Sequence, residues 1–100
     1  MTRALRWSNA ARRDLMEIWR WRGRQHPEAG DQILDRIEAA CVRLIRFPHL
    51  GAPYQRMAPA ARKLSIDGYR AFYRIADDAI HVMRVVDQRR LLEAIKLDEE

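Results

Sequence analysis

Cys41 is the only cysteine, so no internal disulfide can hold the fold, and no cysteine–histidine pair has zinc-ligand spacing. With 4 Gly and 4 Pro in 100 residues, the chain is neither collagen-like nor linker-dominated. No apolar run approaches the roughly 18 residues that a membrane span requires. The N-terminus sets Arg3 and Arg6 among short apolar pieces and lacks the core of a signal peptide. A Gly-rich phosphate loop, a Ser-His-Asp spacing and a carboxylate pair in a supporting motif are also missing. What remains is a single small domain over residues 1–100, expected to be cytoplasmic and reduced, with no metal and no cofactor. Hydrophobic residues at 48% beside 33% charged residues make it globular rather than disordered.

Lysine is scarce as well. Of 19 basic residues only Lys63 and Lys96 are lysines, and the other 17 are arginines, for a net charge of +5. A guanidinium offers a planar fork to phosphates and carboxylates, although a GC-rich genome gives the same bias. Residues 1–24 carry seven Arg against Asp14 and Glu17, and residues 54–76 carry four Arg and Lys63 against Asp67 alone. A basic protein of this size meets a polyanion or an acidic protein, and the sign of the charge does not choose between them.

Residues 3–7 read as a short strand ending at Ser8-Asn9, which can accept from the unpaired N–H groups of a helix's first turn. Ala11, Leu15, Ile18 and Trp19 then recur at helical spacing, predicting a helix over 9–25 that His26-Pro27 interrupts. A second helix over 28–46 carries Ile33, Ile37, Ala40, Cys41 and Leu44 as its apolar stripe, with Cys41 a small core residue. Two such helices joined by a short break form an antiparallel hairpin. Residues 48–60, with three Pro and one Gly, form a loop. The period then becomes two, and Asp67-Gly68 and Asp77-Asp78 divide residues 61–86 into a three-stranded antiparallel meander. Leu91, Leu92 and Ile95 suit a short helix or arm over 88–97. The fold class is α+β, in the order β-α-α-β-β-β, with both helices on one sheet face.

Two-residue turns would pair Ile66 with Tyr69, Leu64 with Ala71, Ile75 with Ile80 and Tyr73 with Val82, giving one apolar face for the helices. The opposite face then collects Lys63, Ser65, Arg70, Phe72, Arg74, His81, Met83 and Val85. Such a face can hold a phosphate backbone, with a base stacked on Phe72. It can equally receive an acidic amphipathic segment on a floor of Phe72, Met83 and Val85, or be an ordinary solvated face. His81 is the one histidine there and a candidate general base, though such residues are more often simply exposed. Trp19 fits the core stripe. Trp21 lies some 200° further round the helix, at about 100° per residue, and is a candidate contact residue.

Three segments together resemble the RelE/ParE family of bacterial type II toxin–antitoxin toxins: A-R-R-D-L-M-E-I-W from Ala11, F-P-H-L-G-A-P from Phe47, and R-K-L-S-I-D-G-Y-R-A-F-Y-R-I from Arg62. The resemblance implies a small sheet with an N-terminal helical hairpin and an antitoxin whose C-terminal segment wraps the toxin. RelE-like members are ribosome-dependent mRNA endonucleases that use basic residues on the exposed sheet face and a tyrosine near the C-terminus. ParE-like members lack that set and poison DNA gyrase. Aligned through Gly68-Tyr69-Arg70, the chain keeps Lys63, Arg70 and Arg89 at nuclease-type positions, with His81 as a possible substitute. Ala61 stands where a first lysine would be, and Ile95 near where the tyrosine would be. Together with F-P-x-L-G and G-Y-R-x-F-Y-R-I, these departures favour the ParE branch.

The expectation is therefore a gyrase poison held by a ParD-like antitoxin in a hetero-oligomeric complex. The alternatives are an mRNA endonuclease acting on the ribosome and an inactive, antitoxin-binding module. No catalytic residue is assigned to a gyrase poison. Lys63, Arg70, Phe72, Arg74, Met83, Trp19 and Trp21 are the candidates for contacts to target or antitoxin.

Overall fold

Ser8 starts the first helix by accepting from the Ala11 N–H at 3.0 Å, which satisfies one of the donors a helix N-terminus leaves unpaired. In the computed structural model, which describes residues 3–89, the elements are β1 (Ala4–Trp7), α1 (Asn9–Gln25), α2 (Ala29–Arg46), β2 (Ala52–Pro53), β3 (Arg62–Ile66), β4 (Tyr69–Ile75) and β5 (Ala79–Asp87). The predicted order holds, with β2 added as a two-residue strand from the Pro-rich segment. The predicted arm over 88–97 lies outside the described residues from 90 onward.

The sheet order is β1-β5-β4-β3-β2, with β1 parallel to β5 and the other neighbours antiparallel. Asp67 and Gly68, at φ of 48° and 88°, form the tight β3–β4 turn whose positive φ values match the twist of a hairpin. All four predicted cross-strand pairs are present. Ile66, Tyr69, Ala71, Tyr73, Ile80 and Val82 meet Ala11, Ile18, Ile33, Ile37, Cys41 and Leu44 in one core. Burial desolvates the Cys41 thiolate and pushes its pKa up to about 12, so this thiol is a core residue.

Two expectations fail here. Val85 does not lie on the outer sheet face but is buried in the core, opposite Ala71. The cause is a β-bulge in β5: the register shifts between Phe72 and Tyr73, so Met83 is an extra residue and Arg84 faces Phe72. Helix α1 holds the bulge. The Ser8 hydroxyl donates to the Met83 carbonyl at 2.7 Å. The buried Asp14 carboxylate accepts from the Val85 N–H at 2.9 Å and from the Arg84 guanidinium at 2.8 and 3.0 Å.

Trp19, second, is not in the core. The buried line of α1 runs through Ala11, Asp14 and Ile18, which turns Trp19 to the rim of the hairpin, 41% exposed. Its indole N–H donates to Asp31 at 2.8 Å. Gly30 permits this crossing, since a Cβ there would stand 2.6 Å from the Trp19 carbonyl oxygen.

The F-P-H-L-G segment hangs on Tyr73. Its buried hydroxyl donates to the Pro48 carbonyl at 2.7 Å and accepts from the Gly51 N–H at 2.9 Å. A Cβ on Gly51 would lie 2.4 Å from the Lys63 carbonyl oxygen and 2.7 Å from the Tyr73 hydroxyl, so the motif requires glycine.

Candidate binding surfaces

The outer sheet face is divided. Over β3 and β4 it is covered by the loop that leaves β2, where the Tyr54 N–H donates to the Ala61 carbonyl at 2.7 Å. The Tyr54 ring lies 5.6 Å from that of Phe72, and the Lys63 ammonium sits 4.8 Å from the Tyr54 ring centroid. Phe72 is on the predicted face but fully buried, so it is no exposed anchor. Tyr54, a lone aromatic between Pro53 and Pro59, carries no local pattern that singles it out.

Over β4, β5 and β1 the face is open. The parallel pairing of β1 sets Arg6 beside His81, and the β4–β5 ladder sets His81 beside Arg74. Arg6 and Arg74 are exposed and His81 is half-buried. The sequence does not single out Arg6, because nothing local encodes the long-range pairing of β1. Met83 is half-buried at the bulge. Arg70 is half-buried, and its Nε is buried without an acceptor.

Across the end of the sheet, Trp21, Arg22, Gln25, Tyr69, Asp87 and Arg89 line a cleft of about 220 Å³. A second hollow of about 160 Å³ shares Trp21, Tyr69 and Asp87 with it. Trp21, 55% exposed, forms their common wall, and the Arg22 guanidinium stands 6.0 Å from the Tyr69 ring centroid. Arg89 turns to Asp87, donating at 2.8 and 3.1 Å, and this hydrogen bond raises an already high guanidinium pKa. Among the described residues there is no group of three or more His, Cys, Asp or Glu placed to hold a metal, and no helix is long and apolar enough to cross a membrane.

The nuclease-type residues are therefore not gathered at one point. Lys63 pairs with Phe72 and His81 with Arg74, so strand spacings put their Cα atoms about 12 Å apart. Arg70 occupies the next outer-face position along β4, and Arg89 lines the cleft beside α1.

Residues 5–92 match the family model described as the ParE toxin of the type II toxin–antitoxin system parDE. The chain belongs to the ParE toxin family. Toxin ParE1 of Mycobacterium tuberculosis is 34% identical over 88 residues, covering 82% of this chain and 86% of that protein. Toxin ParE3 of Caulobacter vibrioides is 33% identical over 61 residues, 61% of either chain. A solved structure of the chromosomal ParDE toxin–antitoxin system from P. aeruginosa superposes with a TM-score of 0.74 at 22% identity, over 85% of this chain and 95% of that one. In this ParE-family chain, the F-P-H-L-G and G-Y-R-A-F-Y-R segments are the two halves of the Tyr73 anchorage.

Proposed function

We propose that this ParE-family chain arrests growth by binding DNA gyrase in the cytoplasm, without cleaving RNA, and that a ParD-like antitoxin silences it in a hetero-oligomeric complex. The observation that carries this reading is the dispersal of the nuclease-type groups. Cleavage through an RNA 2′-OH needs proton transfer and stabilisation of added phosphate charge within hydrogen-bond reach of one phosphate. Lys63 is engaged with Tyr54, Arg89 with Asp87, and His81 sits with Arg6 and Arg74 instead. A binding module requires no such convergence. Its exposed contacts are Arg74 and Arg6 on the sheet and Trp21 and Trp19 on the hairpin.

Pulse-labelling of DNA and protein synthesis, just after the chain is induced alone in bacteria, tests the proposal. Early loss of DNA synthesis with translation intact is expected. The second reading, an mRNA endonuclease, draws on Lys63 and Arg70 sharing the outer face. It requires early loss of translation with codon-positioned cuts that disappear in Lys63→Ala and Arg89→Ala. Growth that continues with folded protein present would point to an inactive antitoxin-binding module and refute both.

A further inference from the structure

The geometry points to a sequence-independent binding site for a phosphodiester backbone on the open part of the outer sheet face, built by Arg6, His81 and Arg74. These side chains occupy paired positions on β1, β5 and β4 and project from the same face. At about 4.8 Å between strands, the row is about 10 Å long. It therefore matches about three nucleotides of a strand bearing one charge per about 3.4 Å.

Three features separate this row from incidental surface charge. The first is the lack of internal partners. Arg62, Arg84 and Arg89 are bound to Gly51, Asp14 and Asp87, whereas Arg6, His81 and Arg74 make no side-chain hydrogen bond or ion pair among the described residues. The second is position. A charge on an edge strand such as β1 protects against edge-to-edge pairing, but β4 and β5 are interior strands. Arg74, directly opposite His81 on interior β4, has no such purpose.

The third is the company the row keeps. On that face β1, β3, β4 and β5 present no carboxylate, and the nearest acids in sequence, Asp77 and Asp78, lie in the β4–β5 turn. Further along β4, the buried Arg70 Nε also lacks an acceptor.

Phosphate suits this row. Each guanidinium can fork onto two non-bridging oxygens, and the imidazole N–H can donate between them. Phe72 is buried beneath Tyr54 and so is closed to a stacking base, and backbone contacts alone carry no sequence information. The inference does not depend on gyrase as target, because it concerns the isolated chain and nucleic acid.

The test is fluorescence anisotropy with labelled 12-mers of duplex DNA, single-stranded DNA and single-stranded RNA, each in two unrelated sequences, over a salt series. Arg6→Ala/Arg74→Ala is compared with Arg43→Ala/Arg46→Ala, which removes equal charge from exposed positions of α2. Circular dichroism melts establish that both variants are folded. For the strand that binds, the sheet variant is expected to flatten the slope of log K against log salt by about 1.8 for duplex, or about 1.4 for single strands, and the helix variant by much less. The arm showing this difference identifies the nucleic acid. Equal losses in both variants, a dependence on sequence, or no binding of any probe by the parent chain at low salt would each overturn the site.

Discussion

Replacing Asp14 by alanine removes one carboxylate and orphans two neighbouring groups on β5. The Arg84 guanidinium loses hydrogen bonds of 2.8 and 3.0 Å, and the Val85 N–H loses its acceptor at 2.9 Å. The side chains of Arg84 and Asp14 are only 14% and 9% exposed, so water does not readily replace the lost partner. Breaking a buried pair from one side costs about 3–5 kcal/mol, a large share of the roughly 5–15 kcal/mol that holds a domain together. At about 4–8 °C per kcal/mol for a domain of this size, even the lower figure lowers Tm by about 12–24 °C. Urea titration followed by far-ultraviolet circular dichroism gives the free energy directly. Asp14→Asn keeps an acceptor for the Val85 N–H but not the charge, and is expected to fall between wild type and alanine. Asp14→Leu/Arg84→Met removes both charges and is expected to recover much of the loss. An Asp14→Ala protein within about 1 kcal/mol of wild type would refute the assignment of Asp14 as the clamp of the bulge.

The Tyr73 anchorage predicts that Tyr73→Phe, which strands the Gly51 N–H and the Pro48 carbonyl, costs about 1–3 kcal/mol in the same titration. Gly51→Ala, which drives a Cβ into backbone, is expected to cost at least as much. Cys41 has its folded-state pKa raised from 9.0 to about 12. Above pH 9 the unfolded thiol ionises while the folded one keeps its proton, so stability falls as pH rises toward about 12. The expected slope is about 1.4 kcal/mol per pH unit, measured as the difference from Cys41→Ala; equal slopes in the two proteins would refute it. Trp21→Ala, at an exposed wall of the α1 cleft, is expected to leave Tm within a few degrees and to weaken antitoxin binding on the order of 30-fold by calorimetry. Unchanged affinity would remove Trp21 from that interface.

What was legible in the sequence was whatever local chemistry determines. Ser8 stops a strand and starts a helix, and Asp67-Gly68 permits only a tight turn, so both boundaries and the first pairings of the hairpin follow from neighbours in the chain. What was illegible depends on residues far apart. The bulge that buries Val85 is secured by Ser8, 75 positions before Met83, and by Asp14, 71 positions before Val85. The same Asp14 explains the position of Trp19. An acidic residue reads as solvent-facing, so the apolar spacing takes in Leu15 and Trp19 beside Ala11 and Ile18, whereas the buried line runs through Ala11, Asp14 and Ile18. Nothing in the sequence singles out Arg6, because a parallel pair joined through two helices and three strands has no short-range signal.

The covering of Phe72 bears most directly on function. Alternation correctly placed Phe72 away from the helices, but the Pro-rich loop brings Tyr54 back over it, so the outer face becomes partly a second packing surface. Lys63 lies on that packed part, where its ammonium adds to the Tyr54 contact. Loss of function on replacing Lys63 would therefore be ambiguous between a lost contact and a loosened loop. Arg74 and Arg6 have no such structural partner among the described residues, so replacing them reads out binding alone. The separation follows from the register: at Phe72 the outer face meets the loop, while Arg74, one outer-face position further along β4, is exposed and lies in one row with His81 and Arg6.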